Sequence, residues 1–241
     1  MMTTRDKDNM GYQEIAGGVG IPKWDKFLWT LGGVLFLLLA LEAVCVKQNS
    51  LWVRNLDAFV IELVRSHPPV PASVPEASHA FYFQAIKALT FFAQSQLVIA
   101  MALLVALFYA FQKRYVFGLW FVLSVSSGEI ALKSFKEWIA RTRPPTNGEL
   151  YLAHGFSYPS GHALAASLFY GLLLLLVSLG NLNSVLKWGL CSVLFLWVCL
   201  MAYTRVYLGV HYPTDVLGGI LMGMAWACWS VGVYTKWFKK I

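Results

Sequence analysis

Two histidines with polar neighbours are the residues of this sequence best suited to chemistry. His211 lies four residues before Asp215, and Pro213 between them is placed to start a helix. An aspartate near a histidine can orient the ring and stabilise its positive form, which leaves the other ring nitrogen free to attack. His162 stands at the start of an apolar segment and suits proton transfer, because histidine titrates near neutral pH. The pair predicts nucleophilic and acid–base catalysis.

Three basic side chains accompany these histidines at the ends of apolar segments. They are Lys136, Arg143 and Arg205. Cations at the edge of the hydrocarbon layer are costly without partners. Glu129 is spaced for a helical ion pair with Lys133, and Glu137 is a candidate partner for Arg141. We therefore expect the three cations to lack protein partners and to bind an anion, since a guanidinium fork fits phosphate oxygens.

Ser160 and Gly161 form a second candidate anion-binding element. They stand just before the apolar segment that begins near Ala163. A helix N-terminus there presents unpaired amides and the positive end of the helix dipole. Ser160 can cap this helix, and Gly161 lets the backbone approach a ligand closely.

Metal binding is the competing use of the same residues. His162, His211 and Asp215 could form a facial triad, but the three neighbouring cations would repel a divalent ion. We therefore expect neither a metal nor a cofactor. The remaining histidines are expected to be structural or exposed: His67, His79 and His154. The cysteines show no metal-ligand spacing and are expected to be small core residues: Cys45, Cys191, Cys199 and Cys228.

The elements that must position these residues are apolar helices. Of the 241 residues, 58% are hydrophobic and only 13% are charged, whereas about 25% are charged in an ordinary soluble domain. This composition argues against a soluble enzyme and against disorder. Because about 20 mostly apolar residues cross a bilayer, the stretches without charges predict six spans. They lie at about 27–46, 90–111, 115–133, 163–180, 186–203 and 215–235.

The prolines support these spans, because none of them lies inside one. A signal peptide is the alternative interpretation of the first span. However, a 26-residue tail precedes it, and Glu42 stands where a small cleavage-site residue is needed. We therefore predict a retained anchor, with a tail at 1–26 and one membrane domain at 27–241.

Six spans place both termini on one side of the membrane. On that side, Lys113-Arg114 and the basic C-terminal end adjoin span ends, which favours the cytoplasm. The net charge of +7 is then partly a topology signal and not a nucleic-acid footprint. The polar residues fall in loops on the other side, at about 47–89, 134–162 and 204–214. The first loop holds a proline-rich turn region between Pro68 and Pro75.

Taken together, the polar residues form three ordered blocks. The blocks are Lys136 with Arg143-Pro144 after six residues, then Pro159-Ser160-Gly161-His162, then Arg205, His211 and Asp215 with five and three residues between them. This pattern resembles the type 2 phosphatidic acid phosphatase (PAP2) superfamily, the relatives of vanadium haloperoxidases and bacterial acid phosphatases. One departure is Thr204, where the family usually has serine, and threonine keeps the hydroxyl group. The apolar spans favour the lipid phosphatase branch.

The resemblance implies a role for each matched residue. His211 would be the nucleophile that becomes a phosphohistidine, and Asp215 would orient it. His162 would protonate the leaving oxygen and then activate water. The phosphoryl oxygens would be held by Lys136, Arg143, Ser160, Gly161 and Arg205. No metal is implied, because the cations stabilise the developing charge.

These expectations define an all-α, polytopic membrane protein. Its six-helix bundle would carry the active site at the outer interface of the cytoplasmic (inner) membrane, facing the periplasm or outside, with both termini cytoplasmic. The expected partners are surrounding membrane lipids and a phosphorylated lipid substrate, with no nucleic acid; the oligomeric state is left open.

The expected activity is hydrolysis of a phosphomonoester or diphosphate lipid headgroup. Candidate substrates are undecaprenyl diphosphate, phosphatidylglycerol phosphate, phosphatidic acid and lipid A phosphate. A lipid phosphotransferase would use the same phosphohistidine, and a lipid transporter without hydrolysis is an alternative from a different class. Gly219 and Gly223 predict close helix packing in the sixth span for enzyme and transporter alike.

Overall fold

Helices make up most of the chain that the computed structural model describes, which is residues 12–13, 21–22, 24–66, 76, 80–145, 154–180 and 182–237. They are α1 (Asp25–Lys47), α2 (Leu51–Ser66), α3 (Phe81–Leu89), α4 (Ser95–Phe111), α5 (Tyr115–Ile139), α6 (Gly161–Leu179), α7 (Ser184–Tyr207) and α8 (Pro213–Trp237). A 3₁₀ turn, Thr90–Ala93, joins α3 to α4. Two short strands, β1 (Tyr12–Gln13) and β2 (Ile21–Pro22), pair antiparallel near the start of the chain.

Five of the helices are each long and apolar enough to cross a membrane: α1, α5, α6, α7 and α8. The second predicted span differs from the others. The segments Phe81–Ala93 and Ser95–Phe111 are bent by 51° against each other and satisfy the same test only together. Gln94 between them has an extended backbone, which ends one helical segment and precedes the next. The prediction of one continuous helix at 90–111 is therefore wrong, although six spans result when the bent pair counts as one.

The helices α5 and α7 extend beyond their predicted spans. Helix α5 continues past residue 133 to Ile139, and α7 continues past residue 203 to Tyr207. Lys136 and Arg205 therefore lie in the last turns of helices and not in the loops predicted at 134–162 and 204–214. A helix end holds a side chain more rigidly than a loop does, which suits a residue of a preorganised site.

The region predicted as a loop at 47–89 contains two helices. Helix α2 turns one face, with Val53 and Asp57, into the protein. Its opposite face exposes Trp52, Leu56, Phe59 and Leu63. A helix that is apolar on its outer face, at the end of a membrane bundle, is suited to the membrane–water interface. The proline-rich segment predicted between Pro68 and Pro75 lies outside the described residues.

Helix α8 is central to the bundle and packs closely against α6. A Cβ atom on Gly219 would lie 2.5 Å from the carbonyl oxygen of Ser160, and one on Gly223 would overlap Ser167 Oγ. Only glycine leaves room for helix backbones to approach this closely. The predicted close packing is confirmed, and it brings the first turns of α6 and α8 together.

Polar side chains within the bundle bond across helices. The indole nitrogen of Trp120 in α5 donates to the carbonyl of Ser230 in α8 at 2.9 Å. Glu129 accepts a hydrogen bond from Ser95 Oγ of α4 at 2.8 Å. The charge of Lys133 acts on Glu129 as predicted, but Lys133 is exposed and the two side chains are not in direct ion-pair contact. The cross-helix bond satisfies Oε2 of this carboxyl group, while Oε1 is buried without a hydrogen-bond partner among the described residues.

The four cysteines are free, and their burial differs. Cys191 and Cys228 are buried as predicted, Cys45 is partly buried, and Cys199 is exposed on α7. The prediction of core residues is therefore wrong for Cys199.

Candidate active site

Asp215 is fixed by the first turn of α8. Pro213 begins the helix, and the carbonyl of Tyr212 accepts the first helical hydrogen bond, from Val216. Asp215 reaches back so that its Oδ2 accepts from the backbone amide of Tyr212 at 2.8 Å, as the acidic residue of a capping box does. The residue is fully buried. The turn therefore holds the carboxylate in one orientation.

His211 lies between Asp215 and Arg143. Its Nδ1 is 3.5 Å from Asp215 Oδ2, and its Nε2 is 3.2 Å from Arg143 Nη1. Because a guanidinium group only donates hydrogen bonds, Nε2 must be the acceptor, and Nδ1 carries the proton toward Asp215. This is the tautomer in which Nε2 has a lone pair for attack on an electrophile.

The protonation state of His211 is set by its surroundings. Only 2% of the residue is exposed. Burial lowers the pKa of His211 from 6.5 to about 4; Asp215 opposes this shift, and Arg205 and Arg143 add to it. The ring is therefore neutral at neutral pH, as a nucleophile must be.

Arg143 and Lys136 are held by backbone carbonyl groups. Arg143 donates from Nε to the carbonyl of Gly155 at 3.0 Å and from Nη1 to the carbonyl of Val210 at 2.7 Å. Lys136 Nζ donates to the carbonyl of Phe156 at 2.8 Å. The expectation that these two cations lack protein partners is wrong. A carbonyl group positions a cation without cancelling its charge, so both remain suited to anion binding.

Arg141 pairs with two carboxylates. Its Nη1 lies 2.8 Å from Asp215 Oδ1 and its Nη2 lies 2.6 Å from Asp57 Oδ2. The predicted Glu137–Arg141 pair is wrong because α5 ends at Ile139 and Ala140 adopts a left-handed conformation, so Arg141 is no longer on the helix. Burial lowers the pKa of Arg141, but the two aspartates outweigh it and the net shift is upward.

Asp57 is the site residue that sequence reasoning missed. It lies on α2, in the region predicted as a loop, and its neighbours on the same helix face are Val53 and Ile61. An aspartate at a position where helical periodicity requires an apolar residue was the available signal. Such a residue is usually buried with a partner.

The block around Ser160 joins α6 to the other blocks. Ser160 caps α6 as predicted, since its side chain accepts from the amide of Ala163 at 3.4 Å. Its own amide donates to the backbone carbonyl of Asp215 at 2.8 Å. Upstream, the amide of Ser157 donates to the carbonyl of Arg141 at 2.8 Å. These bonds tie the N-terminus of α6 to the first and third blocks.

His162 lies in the first turn of α6, facing the other charged residues of the site. It is within electrostatic reach of His211, Arg205, Arg143 and Lys136. Arg205 is 2% exposed in the last turn of α7. The structure thus brings all eight predicted site residues to one end of the bundle: Lys136, Arg143, Ser160, Gly161, His162, Arg205, His211 and Asp215.

The other histidines fall outside this cluster or outside the described chain. The side chain of His154 is exposed, and its backbone carbonyl accepts from Arg143 Nη2 at 3.0 Å. His67 and His79 lie outside the described residues.

This fold and site place the chain in a known class. The family model of the PAP2 superfamily matches residues 117–239, which include all eight predicted site residues. The chain belongs to the PAP2 superfamily and is a multi-pass membrane protein.

Two curated proteins are similar over part of their length. Phosphatidylglycerophosphatase B of Bacillus subtilis (strain 168) is 36% identical over 108 residues, which cover 44% of this chain and 53% of that protein. The undecaprenyl-diphosphatase of Sulfolobus acidocaldarius is 34% identical over 118 residues, which cover 43% of this chain and 46% of that protein. The chain spans about half the length of these relatives.

A solved structure shares the fold. The transmembrane PAP2-type phosphatidylglycerolphosphate phosphatase from Bacillus subtilis matches with a TM-score of 0.72 and 23% identity, over 86% of this chain and 96% of that one. The similarity extends beyond the family match into the N-terminal half of the chain, so the N-terminal helices belong to the shared bundle.

Proposed function

We propose that this protein is a membrane lipid phosphatase that cleaves a phosphomonoester or diphosphate headgroup through a phosphohistidine at His211. The observation that carries the proposal is the arrangement of His211 between Arg143 and Asp215. It leaves a neutral ring with its lone pair on Nε2, next to a fixed cation. A nucleophile with an orienting acid and a charge-stabilising group is the arrangement that phosphoryl transfer requires.

In the first step the Nε2 lone pair attacks phosphorus, the N–P bond forms and the bond to the leaving oxygen breaks. The ring becomes positively charged, and Asp215 stabilises this charge across Nδ1–H. Arg143 moves its Nη1 from Nε2 to a phosphoryl oxygen, while its bonds to the carbonyls of Gly155 and Val210 keep it close.

The negative charge on the phosphoryl oxygens is met by three cations and a helix N-terminus. All three cations, Lys136, Arg143 and Arg205, act electrostatically on His162, and the two arginines also act on His211. The first amides of α6 belong to the same end of the bundle. Because these groups are already in place, little reorganisation is needed as the charge develops.

His162 supplies the proton transfers. In its protonated form it donates a proton to the leaving oxygen of the lipid alcohol or phosphate. Water then gives a proton to the neutral His162 and attacks phosphorus, and the N–P bond breaks to restore the lone pair of His211. Inorganic phosphate and the dephosphorylated lipid are the products.

The site is proposed to face the periplasm or outside of a cytoplasmic membrane, with both termini inside. This orientation is supported by Lys113, Arg114 and Lys236, which adjoin span ends at the opposite end of the bundle from the site. A C-terminal fusion to alkaline phosphatase should be inactive and a fusion to green fluorescent protein should fluoresce; the reverse pattern contradicts the orientation.

The lipid class is supported by the bundle and by the relatives. The exposed apolar surface of the helices supports a site at a membrane interface, where a lipid phosphate would be within reach. The relatives are named for phosphatidylglycerophosphate and for undecaprenyl diphosphate. We therefore propose a substrate that carries its terminal phosphate on a lipid.

The test is release of inorganic phosphate by the purified protein in detergent from a panel of lipids. The panel holds phosphatidylglycerol phosphate, phosphatidic acid, undecaprenyl diphosphate and lipid A phosphate. The wild type should release phosphate from at least one, and His211→Ala should lose at least roughly 10³-fold of the rate, as for a covalent nucleophile. Glu62→Gln, an exposed change on α2, is the matched control.

Acid–base trapping distinguishes the proposed mechanism from hydrolysis without a covalent intermediate. Wild-type protein quenched during turnover should carry labelled phosphate that is stable in base and labile in acid, and His211→Ala should carry none. Full phosphate release by His211→Ala contradicts the mechanism. Transfer of the label to a second lipid in place of water would identify a phosphotransferase.

A further inference from the structure

Asp57 reaches the catalytic centre from outside the region that defines the family. It lies on α2, upstream of the matched residues 117–239. Its carboxylate accepts from Arg141 Nη2 at 2.6 Å, from the amide of Thr214 at 2.9 Å and from Thr214 Oγ1 at 3.0 Å. The residue is 3% exposed. A buried carboxylate with three donors is fixed in position.

Arg141 connects this carboxylate to the nucleophile. Its two terminal nitrogens hold Asp57 and Asp215, and its guanidinium carbon lies 4.0 Å from the centre of the Tyr212 ring. Asp215 in turn faces His211. The chain of contacts runs without a break from α2 to the attacking residue.

The charges in this chain have an electrostatic consequence. Asp57, Arg141 and Asp215 together carry one net negative charge. If Asp57 were neutral, Arg141 and Asp215 would form a neutral pair beside His211. Since the ring becomes cationic when it takes the phosphoryl group, a neutral pair would stabilise it less than a net negative charge, and the difference is large in a buried site.

Helix α2 packs along its length against the end of α7, the start of α8 and the loop 208–212 between them. Ile61 and Val64 of α2 pack in one cluster with Val206 and Val216. One helical turn further on, the guanidinium of Arg65 would lie 3.3 Å from a Cβ atom on Gly209, which has a φ of +68°. Asp57 is therefore carried by a docked helix and not by a free end.

We propose that Asp57 is a positioning residue for phosphoryl transfer. Its charge neutralises Arg141, so that the negative charge of Asp215 remains available to stabilise the cationic ring of His211. This inference rests on the proposed function. It extends the catalytic centre to a helix that the family motifs do not include, and it makes the interfacial helix α2 a requirement for turnover.

Other charged and titratable groups face the same centre and must be unchanged in the test. Arg143, Arg205 and His162 face His211, while Lys136, Glu42, Tyr158 and Tyr212 face Asp215. The test variants therefore change Asp57, Arg141 or both and no other residue of the site, and every variant is compared with the wild type on one substrate.

The first experiment is Asp57→Asn in the full-length protein. We expect kcat to fall about tenfold or more, as for outer partners of reacting groups, while KM changes less than about twofold because no substrate contact is removed. Loss of negative charge should also shift the acid limb of kcat/KM to lower pH. Glu62→Gln removes the same charge from the exposed face of α2 and should change neither. Asp57→Asn with wild-type kcat and acid limb overturns the proposal.

The second experiment adds Arg141→Gln, which removes the cation and keeps an amide donor. The double variant Asp57→Asn/Arg141→Gln should exceed Asp57→Asn in kcat by roughly threefold or more, because Asp215 regains its unpaired charge. A purely structural role predicts the opposite order, since two packed groups are then lost, and a double variant at or below the single one overturns the proposal.

Arg141→Gln alone provides a separate test if Asp57→Asn does not fold. This variant leaves both carboxylates and should shift the acid limb of kcat/KM to higher pH. An unshifted limb overturns the proposal. If the wild type releases no phosphate from any lipid, the proposed function fails and not merely this inference.

Discussion

The Nη1 atom of Arg143 lies 3.2 Å from Nε2 of His211, so a cation covers the nitrogen that attacks in the proposed mechanism. The same Nη1 also donates to the carbonyl of Val210 at 2.7 Å. Arg143 therefore has a second bond to retain when a phosphoryl oxygen takes the place of the ring nitrogen. Arg143 therefore already lies where the proposed mechanism needs a cation, beside the nitrogen that would bind phosphorus.

Arg143→Lys should show that the shape of this cation matters as well as its charge. Lysine keeps the charge but cannot contact the ring, the carbonyl groups and a phosphoryl oxygen from one planar fork. We expect kcat/KM for phosphate release to fall by roughly 10²-fold or more, the usual loss for one oxyanion donor. Equal rates for the wild type and Arg143→Lys would show that a point charge is sufficient.

The acid limb of activity should lie well below the pKa of free histidine. Because the pKa of His211 is lowered to about 4, the ring is neutral through the range in which an exposed histidine titrates. The kcat/KM profile should therefore keep its neutral-ring activity below pH 6.5 and lose it toward pH 4. The profile is measured on one lipid, for the wild type and for Glu62→Gln.

The same shift predicts a stability effect that does not depend on turnover. The unfolded chain binds a proton at His211 near pH 6.5 and the folded chain binds it near pH 4, so the free energy of unfolding should decrease as the pH falls between these values. His211→Gln should lose this part of the pH dependence. Identical melting curves against pH for both proteins would contradict the lowered pKa.

The eight residues that the structure brings together could be named from the sequence, because their spacing alone carries the pattern of the three blocks. The partners of those residues could not. Arg141 was paired with Glu137 by helical spacing, but the helix ends between them at Ala140. Asp57 is distant in sequence from Arg141, and only the packing of α2 beside the ends of α7 and α8 brings the two together.

For the membrane spans, the position of each apolar segment could be predicted from composition, whereas its backbone geometry could not. Apolar length located the five continuous spans and the region of the bent pair, since hydropathy depends on composition. The bend at Gln94 falls on the polar run Gln94-Ser95-Gln96, but polarity alone does not show that Gln94 has an extended backbone between two helical segments. The helix at Leu51–Ser66 is amphipathic in the sequence, but its charged residues and its position between apolar spans favour its assignment as a loop.

His162→Asn should separate the two proton transfers of the mechanism. Without the acid, cleavage of a lipid alkyl phosphate should slow by about 10²- to 10⁴-fold, whereas p-nitrophenyl phosphate, whose leaving group needs little protonation, should be affected much less in the first step. The second step still needs the base, so labelled phosphohistidine should accumulate. Equal losses on both substrates, without accumulation, would remove His162 from these roles.

Chelators should leave the activity unchanged and vanadate should inhibit it. Nε2 of His211 and Oδ1 of Asp215 already accept hydrogen bonds from arginines, so a divalent ion would have to displace both cations. Vanadate mimics a five-coordinate phosphoryl centre and should compete with the substrate at His211. Inhibition by EDTA that a divalent ion reverses would instead indicate a metal site.

The packing of α6 against α8 should limit the stability of the whole site. A side chain on Gly223 would overlap Ser167 Oγ and approach the carbonyl oxygen of Leu164 at 2.8 Å. Gly223→Val should therefore separate the two helices whose first turns carry His162 and Asp215, and overpacking of this kind costs about 1–3 kcal/mol. We expect a lower melting temperature in detergent together with reduced phosphate release.

Gly33→Ala is the matched control, because a Cβ atom at this helical glycine meets no atom within 4 Å. Replacing an exposed helical glycine by alanine should slightly raise the melting temperature. Equal melting temperatures for Gly223→Val and the wild type would mean that the helices are not held at the distance described.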